Sequence, residues 1–115
     1  MNVGYKQFDF DKVFELCTKI FEGYGFTEEE SRSITEILTK ADLYGIESHG
    51  VQRMIRYHKA ITEEGMVKVD AVPEIVFETP VSAVIDAKDA MGQLVSRRAM
   101  EMAIEKARET GVGMV

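Results

Sequence analysis

EIVFETPVSAVID, residues 74–86, decides the fold class of this chain. Val, Ile and Phe crowd the stretch, the side chains that suit a pleated surface, and Thr79-Pro80 interrupts it. The pattern predicts two short strands, 74–78 and 82–86, around a turn. Everything before it, from residue 9 to 64, repeats with a helical period, and a further helix is expected over 92–110. The class is therefore α+β, about four helices with two or three short strands. The apolar GVGMV at 111–115 reads as the start of a third strand, which either pairs with 82–86 or belongs to a larger sheet.

Working back from the strands, three helices can be drawn. Asp9 is a good N-cap for the first, whose apolar stripe is Phe10, Val13, Phe14, Cys17, Ile20, Phe21 and Tyr24, and Gly23 and Gly25 supply its stop. The second begins at a capping box, Thr27 to Glu30, with acidic residues where the helix dipole favours them. Ile34, Ile37, Leu38 and Ala41 form its buried face, and Gly45 ends it. The third is expected to start at Ser48 and close at Gly65, with Val51, Met54, Ile55, His58 and Ile61 turned inward and Arg53 and Tyr57 on another face. In the last helix the inward row is Leu94, Val95, Ala99, Met102, Ala103 and Ala107, between Gly92 and Gly111.

Composition narrows the function. With 115 residues the chain has room for one domain, and 45% apolar with 30% charged residues is the balance of a globular protein. A net charge of −6 gives nothing to release counterions from a nucleic acid or to hold an anionic membrane. No stretch approaches the roughly 20 apolar residues of a membrane span, and the N-terminus lacks a signal-peptide pattern, so the expected compartment is the cytoplasm. Cys17 is the single cysteine, which excludes an internal disulfide; on an apolar stripe it reads as a buried thiol. With only His49 and His58 beside it, no protein metal site is expected.

The segment that could carry chemistry is YGIESHGVQRMIRY, residues 44–57. Ser48 as an N-cap would accept from a backbone N–H one turn on, and His49 would project from the helix mouth with Arg53 a turn further along. Arginine can hold a carboxylate, and histidine, which titrates near neutrality, can pass a proton to or from an oxygen alpha to it. The same residues could simply cap and solubilise a turn, and spacing alone favours that plainer reading. A serine hydrolase is not supported, because no acid completes the set and adjacent side chains rarely meet as a triad requires. GIESHG lacks the Lys-Ser/Thr of a P-loop. GVGMV follows a helix and precedes a strand, the reverse of a dinucleotide fingerprint. Asp86 and Asp89 are better explained as a cap for the last helix than as paired carboxylates.

Two blocks taken together carry a resemblance. ADLYGIESHGVQRMIRY (41–57) and VIDAKDAMGQLVSRRAMEMAIEKARETGVGMV (84–115) resemble the malate/L-lactate dehydrogenase family, the non-Rossmann NAD(P)-dependent reductases of 2-oxo acids and cyclic ketimines. The resemblance runs from about Phe10 to Val115. It implies an oxidoreductase with NAD or NADP as cofactor, a small carboxylate substrate, and a homodimer. It further implies that His49 gives or takes the proton at the substrate, that Ser48 hydrogen-bonds to His49 as a relay, and that Arg53 holds the substrate carboxylate, which shifts the balance from cap to site. Family members are considerably longer, and the match covers their N-terminal third. Residues 1–115 are thus expected to be a single N-terminal region, a fragment of a longer fold, bearing the proton-transfer half of a site with most cofactor contacts elsewhere. The alternatives are a non-catalytic interaction module and a small-carboxylate-binding fragment.

Overall fold

The computed structural model describes residues 4–115, which form two compact units, one ending at Gln52 and one beginning at Arg53. The first is built on two helices, α1 (Phe10–Gly23) and α2 (Glu28–Leu43). Asp9 caps α1 by accepting from the Lys12 N–H at 3.0 Å. The capping box of α2 is complete: the Thr27 N–H donates to Glu30 Oε2 at 2.9 Å, and the Glu30 N–H donates to Thr27 Oγ1 at 3.2 Å. Between the helices the backbone turns at Gly25, whose φ of 108° is open to glycine alone at little cost. Gly23, expected to share that role, is instead the last residue of α1.

Burial of one face of each helix holds this unit together. Phe21 and Ile34 are fully buried, Leu38, Cys17 and Phe26 nearly so, and the Phe21 ring meets Tyr24 and Phe26 edge-on. Thr18 and Thr39 enter the interior by returning their hydroxyls to the carbonyls one turn back, Phe14 and Thr35, at 2.9 and 2.8 Å. Cys17 is the inert thiol its stripe implied: burial, reinforced by the nearby Asp42 carboxylate, pushes its ionisation up.

The second unit contains α3 (Met54–Thr62), β1 (Glu74–Glu78), β2 (Ala83–Asp86) and α4 (Gly92–Thr110). The strands form the expected antiparallel hairpin, in register from Glu74 opposite Asp86 to Glu78 opposite Ala83, with a bulge between Ile75 and Phe77. Its turn is tied by Thr79, whose hydroxyl accepts from the Ser82 N–H at 3.0 Å. The C-terminal segment pairs with it through one parallel bridge, Ser82 with Met114, so the third strand exists only as a single rung. Gly113 is required there, since a Cβ would collide with the Ala103 carbonyl of α4. Lys106 of α4 grips the hairpin, donating to Glu78 Oε1 and to the Thr79 carbonyl at 2.8 Å each. Gly111 ends α4 in the left-handed conformation, φ 89°, as its position foretold.

Three expectations for this half are corrected. The third helix starts at Met54, not Ser48, after two 3-10 turns, Glu47–His49 and Val51–Arg53. Its inward face is also rotated: Ala60 is buried and Tyr57 half-buried, while Ile55 and His58 are exposed. Of the expected stripe Val51 alone falls outside α3, and the Tyr57 hydroxyl accepts from Gln93 Nε2 at 2.8 Å instead of sharing an outer face. Finally, Asp86 and Asp89 do not cap α4, whose N-cap is Met91 without a side-chain bond. Asp86 accepts from the Lys88 N–H at 2.9 Å and pairs with its ammonium, and Asp89 pairs with Lys68. Lys88 and Asp89 both sit at positive φ, 53° and 63°, in a tight turn that consumes both carboxylates before the helix begins.

Candidate active site

The end of α2 builds the loop of interest. Tyr44 N–H returns to Lys40, Gly45 swings to φ 76°, and the Ile46 N–H bonds back to the Ala41 carbonyl at 2.8 Å. The chain then enters the Glu47–His49 turn, closed by His49 N–H to Ile46 O at 3.0 Å and Gly50 N–H to Glu47 O at 3.1 Å. Gln52 Nε2 donates to the Glu47 carbonyl at 2.6 Å, bracing the turn from its far side.

Within this loop Ser48 Oγ lies 2.9 Å from His49 Nδ1. Adjacent side chains rarely meet, and here they do. Both residues are exposed, so with Nδ1 engaged the remaining ring nitrogen, Nε2, is the one through which a proton can be exchanged with a ligand. Ser48 is not the N-cap of α3. The donor such a cap would take, the N–H three residues on, belongs to Val51, and it goes to Asp42 Oδ2 at 2.8 Å.

Asp42 is the residue that motif reading passed over: it stood inside the first block of the resemblance without a role. Its carboxylate occupies the last turn of α2, where the negative end of the helix dipole disfavours an acid by roughly 0.3–1 kcal/mol. The carboxylate also packs against Gly50, which is buried, so closely that a Cβ at Gly50 would overlap it. Gly50 has negative φ, so the need for glycine is steric and not conformational. The available signal was an acid at the wrong end of a helix, eight positions before a glycine.

Arg53 closes the second 3-10 turn and leads directly into α3, half-buried. His58, the other histidine, lies four residues into α3 and away from this loop in sequence. Among the described residues no cluster of three or more His, Cys, Asp or Glu is arranged to hold a metal ion, and no helix is long and apolar enough to cross a membrane.

Comparison with known proteins accounts for nearly every residue. A family model described as malate/L-lactate dehydrogenase matches residues 8–115. The chain is 39% identical over 112 residues to a malate dehydrogenase of Pyrococcus abyssi, covering 97% of this chain and 31% of that protein. To an L-sulfolactate dehydrogenase of Methanocaldococcus jannaschii it is 37% identical over 101 residues, covering 88% of this chain and 29% of the relative. The solved structure of malate dehydrogenase from Pyrococcus horikoshii superposes with a TM-score of 0.90 at 37% identity, over 95% of this chain and 31% of that one. The chain thus spans about a third of the length of the relatives it matches. Matched over all but its first seven residues, this chain belongs to the malate/L-lactate dehydrogenase family, a family of oxidoreductases.

Proposed function

We propose that these residues form the N-terminal region of an NAD(P)-dependent dehydrogenase that interconverts a 2-hydroxy acid and a 2-oxo acid, and that they supply its proton-transferring and carboxylate-binding side chains. The observation that carries this reading is the 2.9 Å contact between Ser48 Oγ and His49 Nδ1 in an exposed, braced turn. Reducing a ketone requires a hydride on carbon and a proton on oxygen. Bound nicotinamide, as NADH or NADPH, supplies the hydride. His49 Nε2 gives the proton to that oxygen, and Ser48, hydrogen-bonded at Nδ1, orients the ring and is the relay through which a proton returns to it. Arg53, four residues after His49, holds the substrate carboxylate through its planar fork of donors, which suits two carboxylate oxygens at once.

The donor set fits this division of labour. A histidine with one nitrogen tied to a hydroxyl is suited to proton exchange beside a hydride donor, and it needs no metal to act. No residue among 4–115 is assigned to the dinucleotide, because Gly111 and Gly113 lie between a helix and a strand rung, the wrong order for a pyrophosphate loop. The working enzyme is read as a cytoplasmic homodimer. The 115 residues by themselves are expected to bind a small carboxylate without turning it over.

Oxamate, a stable mimic of a 2-oxo acid, tests the reading. Titrated into the pure chain, it should shift the His49 ring resonances saturably, and Arg53→Ala should abolish the response. No saturable change at wild-type His49 would sink the proposal. In a parallel assay with NADH or NADPH and pyruvate or oxaloacetate, the pure chain should consume no cofactor, and steady consumption would overturn the half-site reading.

A further inference from the structure

We propose that Asp42 is a positioning residue for His49: by taking the Val51 N–H it withholds that donor from the Ser48 hydroxyl, keeps α3 from starting at Ser48, and so sets the Ser48–His49 pair. The inference rests on the reading of His49 as the proton carrier.

Ser48 has what a helix N-cap needs, a short hydroxyl three residues before a backbone N–H. Had it taken the Val51 N–H, residues 49–53 would extend α3 and the hydroxyl would be committed to the backbone. Asp42 Oδ2 holds that N–H at 2.8 Å instead. An ionised carboxylate is the stronger acceptor, so it wins the competition with a hydroxyl. The chain after His49 therefore leaves the helical path, and the Ser48 hydroxyl meets Nδ1 at 2.9 Å.

Two further features point the same way. The Asp42 carboxylate fills the space a Cβ would need at Gly50, so glycine at that position is what lets the clamp close. Asp42 also belongs to α2, which is anchored by the fully buried Ile34 and by Leu38, so the loop is referenced to a rigid element and not to another loop. Stability of α2 alone does not account for an acid in its last turn.

The test reads the ring-nitrogen signature of His49 by 15N NMR in the whole chain, comparing wild type with Ser48→Ala, Asp42→Ala and the double variant. If Asp42 acts through Ser48, Asp42→Ala loses the wild-type tautomer signature as Ser48→Ala does, and the double variant loses no more than Ser48→Ala alone. The Val51 amide should also gain helical character in Asp42→Ala. Asp42→Asn, which keeps a weaker acceptor, should show a smaller loss; it carries the test if Asp42→Ala does not fold, as judged by the resonances of Phe21. The proposal is overturned if His49 in the Asp42 variants keeps the wild-type signature, if the two losses add, or if Ser48→Ala leaves the signature unchanged. Oxamate added to the same wild-type sample separates the two ideas: no response there removes the catalytic reading of His49, while the Asp42–Ser48 coupling is still read from the ring signature.

Discussion

The two units differ sharply in what they bury. The α1–α2 unit hides Phe21, Ile34 and Leu38 almost entirely, whereas α4, nineteen residues long, has no fully buried residue. Along β1 every residue is exposed, with Phe77 at 60%. The stretch that carries Ser48, His49 and Asp42 follows from the well-packed unit, so the geometry of the proposed site is inherited from a core built by its own neighbours in sequence. The hairpin instead buries Ala83 alone and relies otherwise on backbone pairing, one lysine and a tied turn. Rigidity is concentrated beside the loop that carries the proposed proton carrier.

That contrast can be broken most directly with a matched pair of truncations. Phe21→Ala should cost about 3–5 kcal/mol, the usual penalty for emptying a buried aromatic site, while Phe77→Ala should stay within about 0.5 kcal/mol, as for exposed positions. Denaturant unfolding of the two variants would measure both, and equal losses would mean the units are not as unlike as their burial. A smaller effect is expected at Lys106, the best-buried ammonium of the second unit, with its side chain 13% exposed. Because Glu78 is half exposed, Lys106→Met should cost about 1 kcal/mol, between a charged hydrogen bond and a surface pair; the same unfolding experiment would show it as a shifted midpoint.

The smallest effect concerns pH. The Lys88 ammonium, followed by its backbone N–H, holds the Asp86 carboxyl below the usual range, and Asp86 with Glu74 raises Lys88. A lowered carboxyl contributes above its ordinary value and loses that contribution as pH falls through the lowered one. A raised lysine contributes below its ordinary value and loses it as pH climbs through the raised one. The 86–89 turn should therefore loosen below about pH 4 and again above about pH 10, seen as faster exchange of the Lys88 amide than at neutrality. The α1–α2 interior, which this pair does not touch, should show no such response at the acid end.

Much of the architecture could be read from local chemistry because local chemistry decides it. Asp9, the Thr27–Glu30 box, Gly25 and Gly111 act on the backbone within one turn of themselves, and each did what its residue type allows. Strand 74–78 followed from its β-branched and aromatic content, and the inward row of α4 from its period. The Asp86–Asp89 pair misled because a turn with two residues at positive φ and lysines within reach of both acids is not visible in a capping pattern. His58 was assigned to the interior because the stripe was drawn through Ile55 and His58, whereas the covered side of α3 runs through Tyr57 and Ala60, and the period by itself does not say which side a neighbour will cover.

The chain's own letters, then, were enough for the α+β class, the N-caps of α1 and α2, the hairpin and the family to which the molecule belongs. What they left undecided was whether Ser48 caps a helix or serves His49, since a hydroxyl can do either at the same spacing. In the tertiary structure that hydroxyl lies against His49 Nδ1, and the N–H it would have capped goes to a carboxylate nine residues before Val51, packed against a glycine that leaves it room. A competition for one N–H between two acceptors depends on where the fold brings them, and no local window contains that distance.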